Sequence, residues 1–183
     1  MNYLLVIRLS PMHAFFEVTD GDGQPAYRSS TRLMSLTDKA VITDGADQVV
    51  AHFCCRLISM RGVHRIIMAD GGQMPVRTDL RRADETVTIL ENGWQICGNR
   101  ACQRYRILDE GQNLLAEVYR PWGTMRDRCR IAVADQENAD RLISLVIVLE
   151  HTAVARSQVR ESAAHFAGPR FEPLPPPYSS PRG

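Results

Sequence analysis

Lysine is almost missing from this chain: Lys39 stands alone against 21 arginines. Arginine codons are GC-rich, so this bias is first a mark of genome composition. With 22 basic and 21 acidic residues the formal charge is only +1. That balance excludes the broad basic field of a generic nucleic-acid binder. Long apolar runs are missing too. The longest, Leu142 to Leu149, has seven aliphatic residues in eight, well below the roughly eighteen a bilayer-spanning helix requires, so no transmembrane span is expected. Met1 to Arg8 has neither a basic start nor a long apolar stretch with a small-residue cleavage site, and it reads as a strand rather than a signal peptide. Cysteines 54, 55, 97, 102 and 129 are odd in number and follow no framework spacing, which fits free thiols in a reducing, cytoplasmic setting. Cys97 and Cys102 lack the second pair that a structural zinc site needs.

Catalytic signatures are equally scarce. His13, His52, His64, His151 and His165 are scattered, with no metal-binding His-x-x-Glu-His spacing, no Gly-x-Ser-x-Gly elbow and no glycine-rich phosphate loop. Asp20-Gly-Asp22-Gly superficially resembles a calcium loop, but Thr31 stands where the twelfth-position Glu belongs. The expectation is no catalytic residue, no metal and no cofactor, hence a protein that is not an enzyme.

What is present is a repeated phrase. Arg8-Leu-Ser leads to Asp20, Arg32-Leu-Met-Ser-Leu leads to Asp44, and Arg56-Leu-Ile-Ser-Met leads to Asp70, with the arginines 24 residues apart. Each aspartate opens a turn with glycine, and a second extended run follows it. Asp and Gly accept the backbone conformations tight turns demand, so the unit is strand, turn, strand. The second half continues through Asn92-Gly93, through Asp109-Glu-Gly111 and into Arg128 to Val133. Counting both sides of each turn gives about twelve short strands, the pattern of a sandwich or barrel.

The run at Leu142 to Leu149 then has a place. A helix that is apolar all round must be enclosed, and Asp135 or Asn138 can cap its start while Arg156 and Arg160 suit its end. A barrel of this strand number is too wide to fill with its own side chains. The expected fold is therefore an all-β, closed antiparallel barrel of about 12 strands over residues 1–160, enclosing a hydrophobic C-terminal α-helix at about 137–158. Residues 161–183 are expected to form a disordered tail, with six of the ten prolines after Gly168.

Leu33-x-Ser-Leu-x-x-Lys-Ala-Val-Ile-x-Asp44, Leu57-Ile-Ser59, Ile107-Leu-Asp-Glu-Gly111, Leu115-Ala-Glu-Val118 and the Asp140-to-Glu150 segment together resemble the LURP-one-related family over residues 3 to 155. That family has the fold of the tubby C-terminal domain and the phospholipid scramblases. The resemblance implies a twelve-stranded barrel around a central helix. It carries over no catalytic residue. Tubby proteins bind phosphoinositide head groups through a basic patch, but no residue here aligns with that patch.

Arg126, Arg128 and Arg130 alternate, so on a strand they share a face, with Arg100, Arg104, Arg106 and Arg120 on neighbouring segments. Arginine takes phosphate bidentately, which makes Arg126, Arg128, Arg130, Arg104 and Arg106 the candidate anion- or phospholipid-binding set on a peripheral membrane module. The bland alternative is a solvated face balanced by Asp109, Glu110, Glu117 and Asp127. Trp122 reads as a loop residue closing one end of the barrel or as an interfacial aromatic, and His151 as a core or capping histidine. In the tail, Pro175, Pro176 and Tyr178 belong to a Pro-Pro-x-Tyr pattern and Arg170-x-x-Pro173-x-x-Pro176 to an SH3-type ligand. They support the competing expectation of a protein adaptor with no lipid role.

Overall fold

The structure is a computed structural model describing residues 1–10, 13–32, 37–56, 61–79, 88–89, 93–99, 104–120 and 127–166. Twelve strands form one antiparallel sheet: β1 (Asn2–Leu9), β2 (His13–Thr19), β3 (Pro25–Arg32), β4 (Thr37–Asp44), β5 (Val49–Arg56), β6 (Arg61–Met68), β7 (Gln73–Asp79), β8 (Thr88–Ile89), β9 (Gln95–Asn99), β10 (Arg104–Leu108), β11 (Leu114–Tyr119) and β12 (Arg128–Val133). The helix α1 (Ala139–Phe166) follows. Paired strands are consecutive in the chain except β1 and β12, so the sheet runs from β7 through β1 and β12 to β8.

Period-two patterning decides what faces inward. Ala14, Phe16 and Val18 of β2 are buried while Phe15 is exposed; Cys129, Ile131 and Val133 of β12 are buried while Arg128 and Arg130 are exposed. The inward side chains meet α1, in which every residue from Leu142 to Thr152 is buried. No face of that segment sees solvent, so the sheet curls round it. The helix approaches β5 and β6 on one side and β11 on another.

Aspartate turns gather at one end. In three of them the Asp N–H donates to the carbonyl four residues on: Asp20 to Gln24 at 2.9 Å, Asp44 to Gln48 at 2.9 Å and Asp109 to Asn113 at 3.0 Å. The same carboxylates accept the N–H of Gln24, Gln48 and Asn113 at 2.9, 2.8 and 2.8 Å. The residue three after each aspartate, Gly23, Asp47 or Gln112, has positive φ (79°, 61° and 65°). The third phrase keeps this geometry with Met68 in the leading place and Gly71 at φ 83°. Asp70 instead takes the Gly72 N–H at 2.7 Å.

The helix enters at this turn end. Its first bond runs from Leu142 N–H to the Asn138 carbonyl at 2.9 Å, which makes Asn138 the cap. Tyr27 donates its hydroxyl to Asp140 at 2.7 Å, and Arg141 pairs with Asp70 at 3.1 Å. At 28 residues α1 is about 42 Å long, against about 27 Å for an eight-residue strand. It therefore runs past the sheet to Phe166 rather than ending near 158.

Of the expected closed barrel, the structure shows an antiparallel sheet with one helix that is not closed by hydrogen bonds: among the described residues none joins β7 to β8. These two strands come within 8 Å (Cα to Cα) of each other, but no paired register links them. Pro75 supplies a physical reason. The Met68 N–H to Gly72 bond sets the alternation of bonded and non-bonded pairs, so Arg65 and Pro75 oppose each other as a non-bonded pair. The proline nitrogen therefore faces the free edge, where it has no proton to donate.

Candidate functional site

The arginine face is built on β10, β11 and β12. Alternation turns Arg128 and Arg130 outward on either side of buried Cys129, and both are exposed. On β10 the pattern repeats, with Arg104 and Arg106 exposed around buried Tyr105. Gly98 permits this approach of β9 to β10: its φ is 128°, and a Cβ there would fall 2.6 Å from the Arg104 carbonyl oxygen. Register places Tyr119 between Arg104 and Arg130 in one cross-strand row, with Leu4 next. Glu117 lies opposite Arg106.

Charge is unevenly matched across this face. Arg104 Nη2 and Arg106 Nε share one oxygen, Oε1 of Glu117, at 3.5 and 3.4 Å. Arg128 and Arg130 have no carboxylate partner among the described residues. Four of the five candidate arginines thus lie on the outer face of three adjacent strands. Arg126 falls outside the described residues, as do Arg100, Trp122, Pro175, Pro176 and Tyr178.

Arg120 is a correction. The sequence places it beside the arginine face, but it follows outward Tyr119 and so turns inward. Its Nη2 meets Glu150 Oε2 at 2.8 Å, with side chains 9% and 6% exposed. His151 is buried beside this pair, edge-on to Phe16 and Phe53 with ring centroids 6.0 and 5.2 Å away, in keeping with a core histidine. Burial pushes the Cys129 thiol up; the Glu150 carboxylate adds to that rise and Arg120 opposes it. A neutral, inaccessible thiol is no nucleophile.

Two surface features went unread in the sequence. An open groove of about 780 Å³ lies outside β1 to β4, lined by Arg8, Leu9, Phe15, Glu17, Arg28 and Val41 among others. Leu9, Phe15 and Val41 are 56%, 46% and 40% exposed. The signal was the doubled Phe15-Phe16: with Ala14, Phe16 and Val18 inward, Phe15 must point out. At the turn end, Asp44, Asp70, Glu137 and Asp140 surround Arg141 in an acidic cleft. The Gly72 N–H, then Arg141, hold the Asp70 carboxyl below its usual range. No group of three or more His, Cys, Asp or Glu side chains is placed to hold a metal among the described residues. No helix among them is long and apolar enough to cross a membrane.

The family model described as LURP-one-related matches residues 7–150. No curated protein and no solved structure matches the chain.

Proposed function

The chain belongs to the LURP-one-related family, and from that premise we propose a non-catalytic binding module that attaches peripherally to anionic phospholipid through Arg128, Arg130, Arg104 and Arg106, with Arg126 as a fifth contributor. Its frame is a closed, tubby-like barrel whose seam falls between β7 and β8. Those strands are consecutive in the chain and lie side by side, which favours closure there.

One observation carries the lipid reading. On the outward faces of β10 to β12, four arginines share the surface with one carboxylate among the described residues, which pairs with the two on β10 and leaves the two on β12 without an acidic partner among those residues. Guanidinium groups suit phosphate because their planar fork offers two parallel donors, and an anionic surface attracts clustered basic side chains. The test is co-sedimentation with vesicles of phosphatidylcholine alone or mixed with phosphatidylserine, at low and high salt. Binding should require phosphatidylserine, weaken with salt and be lost in Arg126→Ala/Arg128→Ala/Arg130→Ala. Equal pelleting with both vesicles, or none, would overturn it.

A second reading, a protein adaptor, rests on the groove of β1 to β4. Exposed Leu9, Phe15 and Val41, rimmed by the ion pairs Arg8–Glu17 at 2.9 Å and Arg28–Asp47 at 3.3 Å, suit a partner segment that carries an apolar side chain with polar flanks. Phe15→Ser would abolish capture of such a partner while leaving vesicle binding intact.

A further inference from the structure

We infer that Glu117 is an intramolecular competitor for the phosphate ligand of the arginine face, holding Arg104 and Arg106 in reserve; this rests on the phospholipid reading above. One carboxylate oxygen serves both guanidinium groups, at 3.5 and 3.4 Å. Charge-assisted N–H to O bonds of full strength are about 2.7–2.9 Å long, so both contacts are slack. The arginine side chains are 70% and 57% exposed whereas Glu117 is 23% exposed. The carboxylate is seated against the sheet and the guanidinium groups lean over it. Each arginine has five N–H donors and uses one on Glu117, so either can turn to a phosphate without first breaking a bidentate pair.

Glu117 is also the one carboxylate on the outward faces of β9 to β12 and β1 among the described residues. The face therefore has two kinds of arginine. Arg128 and Arg130 are ready for an anion, while Arg104 and Arg106 become available only when a negative surface displaces Glu117. Binding should then deepen at high anionic lipid content, where the density of phosphate outcompetes a single internal carboxylate.

The experiment compares the wild type, Glu117→Gln and Asp22→Asn on phosphatidylserine-containing vesicles across a salt series. Asp22 lies in the exposed β2–β3 turn, outside β10 to β12, and its substitution changes net charge equally without altering the Arg–Glu117 contacts. Glu117→Gln should bind about five-fold more tightly at low salt, the effect of about one added basic charge at an anionic surface, and the gain should vanish at high salt. It should also vanish when Arg104→Ala and Arg106→Ala are added. Asp22→Asn should match the wild type. A wild type that binds while Glu117→Gln shows no gain, or a gain in Asp22→Asn as large, overturns the competitor role alone. If neither the wild type nor Glu117→Gln pellets with anionic vesicles, the phospholipid reading falls, and this inference with it.

Discussion

Replacing Arg120 with alanine should destabilise this protein far more than replacing any arginine of the outer face. The Arg120–Glu150 pair spans only 2.8 Å between side chains that are 9% and 6% exposed, where the sheet meets the exit end of the enclosed helix. Two charges withdrawn from water are tolerable together, and breaking such a buried pair by removing one member costs about 3–5 kcal/mol. Two other nitrogens of Arg120, Nε and Nη1, are buried without a hydrogen-bond partner among the described residues, so Glu150 is a principal anchor for that cation. For a chain of this size each kcal/mol moves the melting point by about 2–4 °C. Arg120→Ala or Glu150→Gln should therefore lower Tm by about 6–20 °C. The double change Arg120→Met/Glu150→Leu, which removes both charges and keeps the volume, should recover most of that loss. Thermal melts and urea titrations followed by circular dichroism on the four proteins measure each loss and its recovery. Single substitutions costing under about 1 kcal/mol, as a solvated surface pair would, would refute the claim that this pair is desolvated.

Val146 lies fully buried in the middle of α1. Val146→Asp places an unpaired charge in a dry interior and should leave the chain without a cooperative melt; a wild-type transition would contradict enclosure. At the turn end, burial and then the hydrogen bond to Asp140 raise the Tyr27 phenol above its ordinary value of 10.0. Below that value both folded and unfolded chains keep the proton; above it the unfolded chain ionises first, so stability should fall as pH climbs past about 10. Tyr27→Phe should lose about 1 kcal/mol at neutral pH and show a shallower alkaline decline, read from urea titrations across pH.

The twelve strands were legible because each depends on local chemistry. Aspartate with glycine punctuates the chain at Asp20, Asp44 and Asp109, and alternation such as Arg128-Cys-Arg-Ile-Ala-Val133 assigns the faces before any partner strand is known. Asn138 as one of two candidate caps, with Asp135, and the enclosed Leu142 to Leu149 run were readable for the same reason; the Leu142 N–H to Asn138 bond decides between the caps. The helix end near 158 was set too short, because the chain continues in helical form after leaving the sheet, and enclosure marks only the buried part. Arg120 was grouped with its neighbours by proximity in sequence, although one step of alternation from Tyr119 reverses its direction.

Composition, periodicity and turn residues by themselves determined an antiparallel sheet around an apolar helix, since burial of that helix leaves few other solutions. The turns already implied the hairpins, but only the tertiary structure decided that β1 pairs β12 and which residues stand opposite each other. The β1–β12 pairing leaves β7 and β8 as the two ends of the sheet, the register sets Glu117 against Arg106, and the curl of the sheet carries Arg120 inward to Glu150. Period-two patterning tells each residue whether it faces in or out, but many neighbours across strands are distant in sequence, and their meeting depends on how the whole sheet packs on its helix.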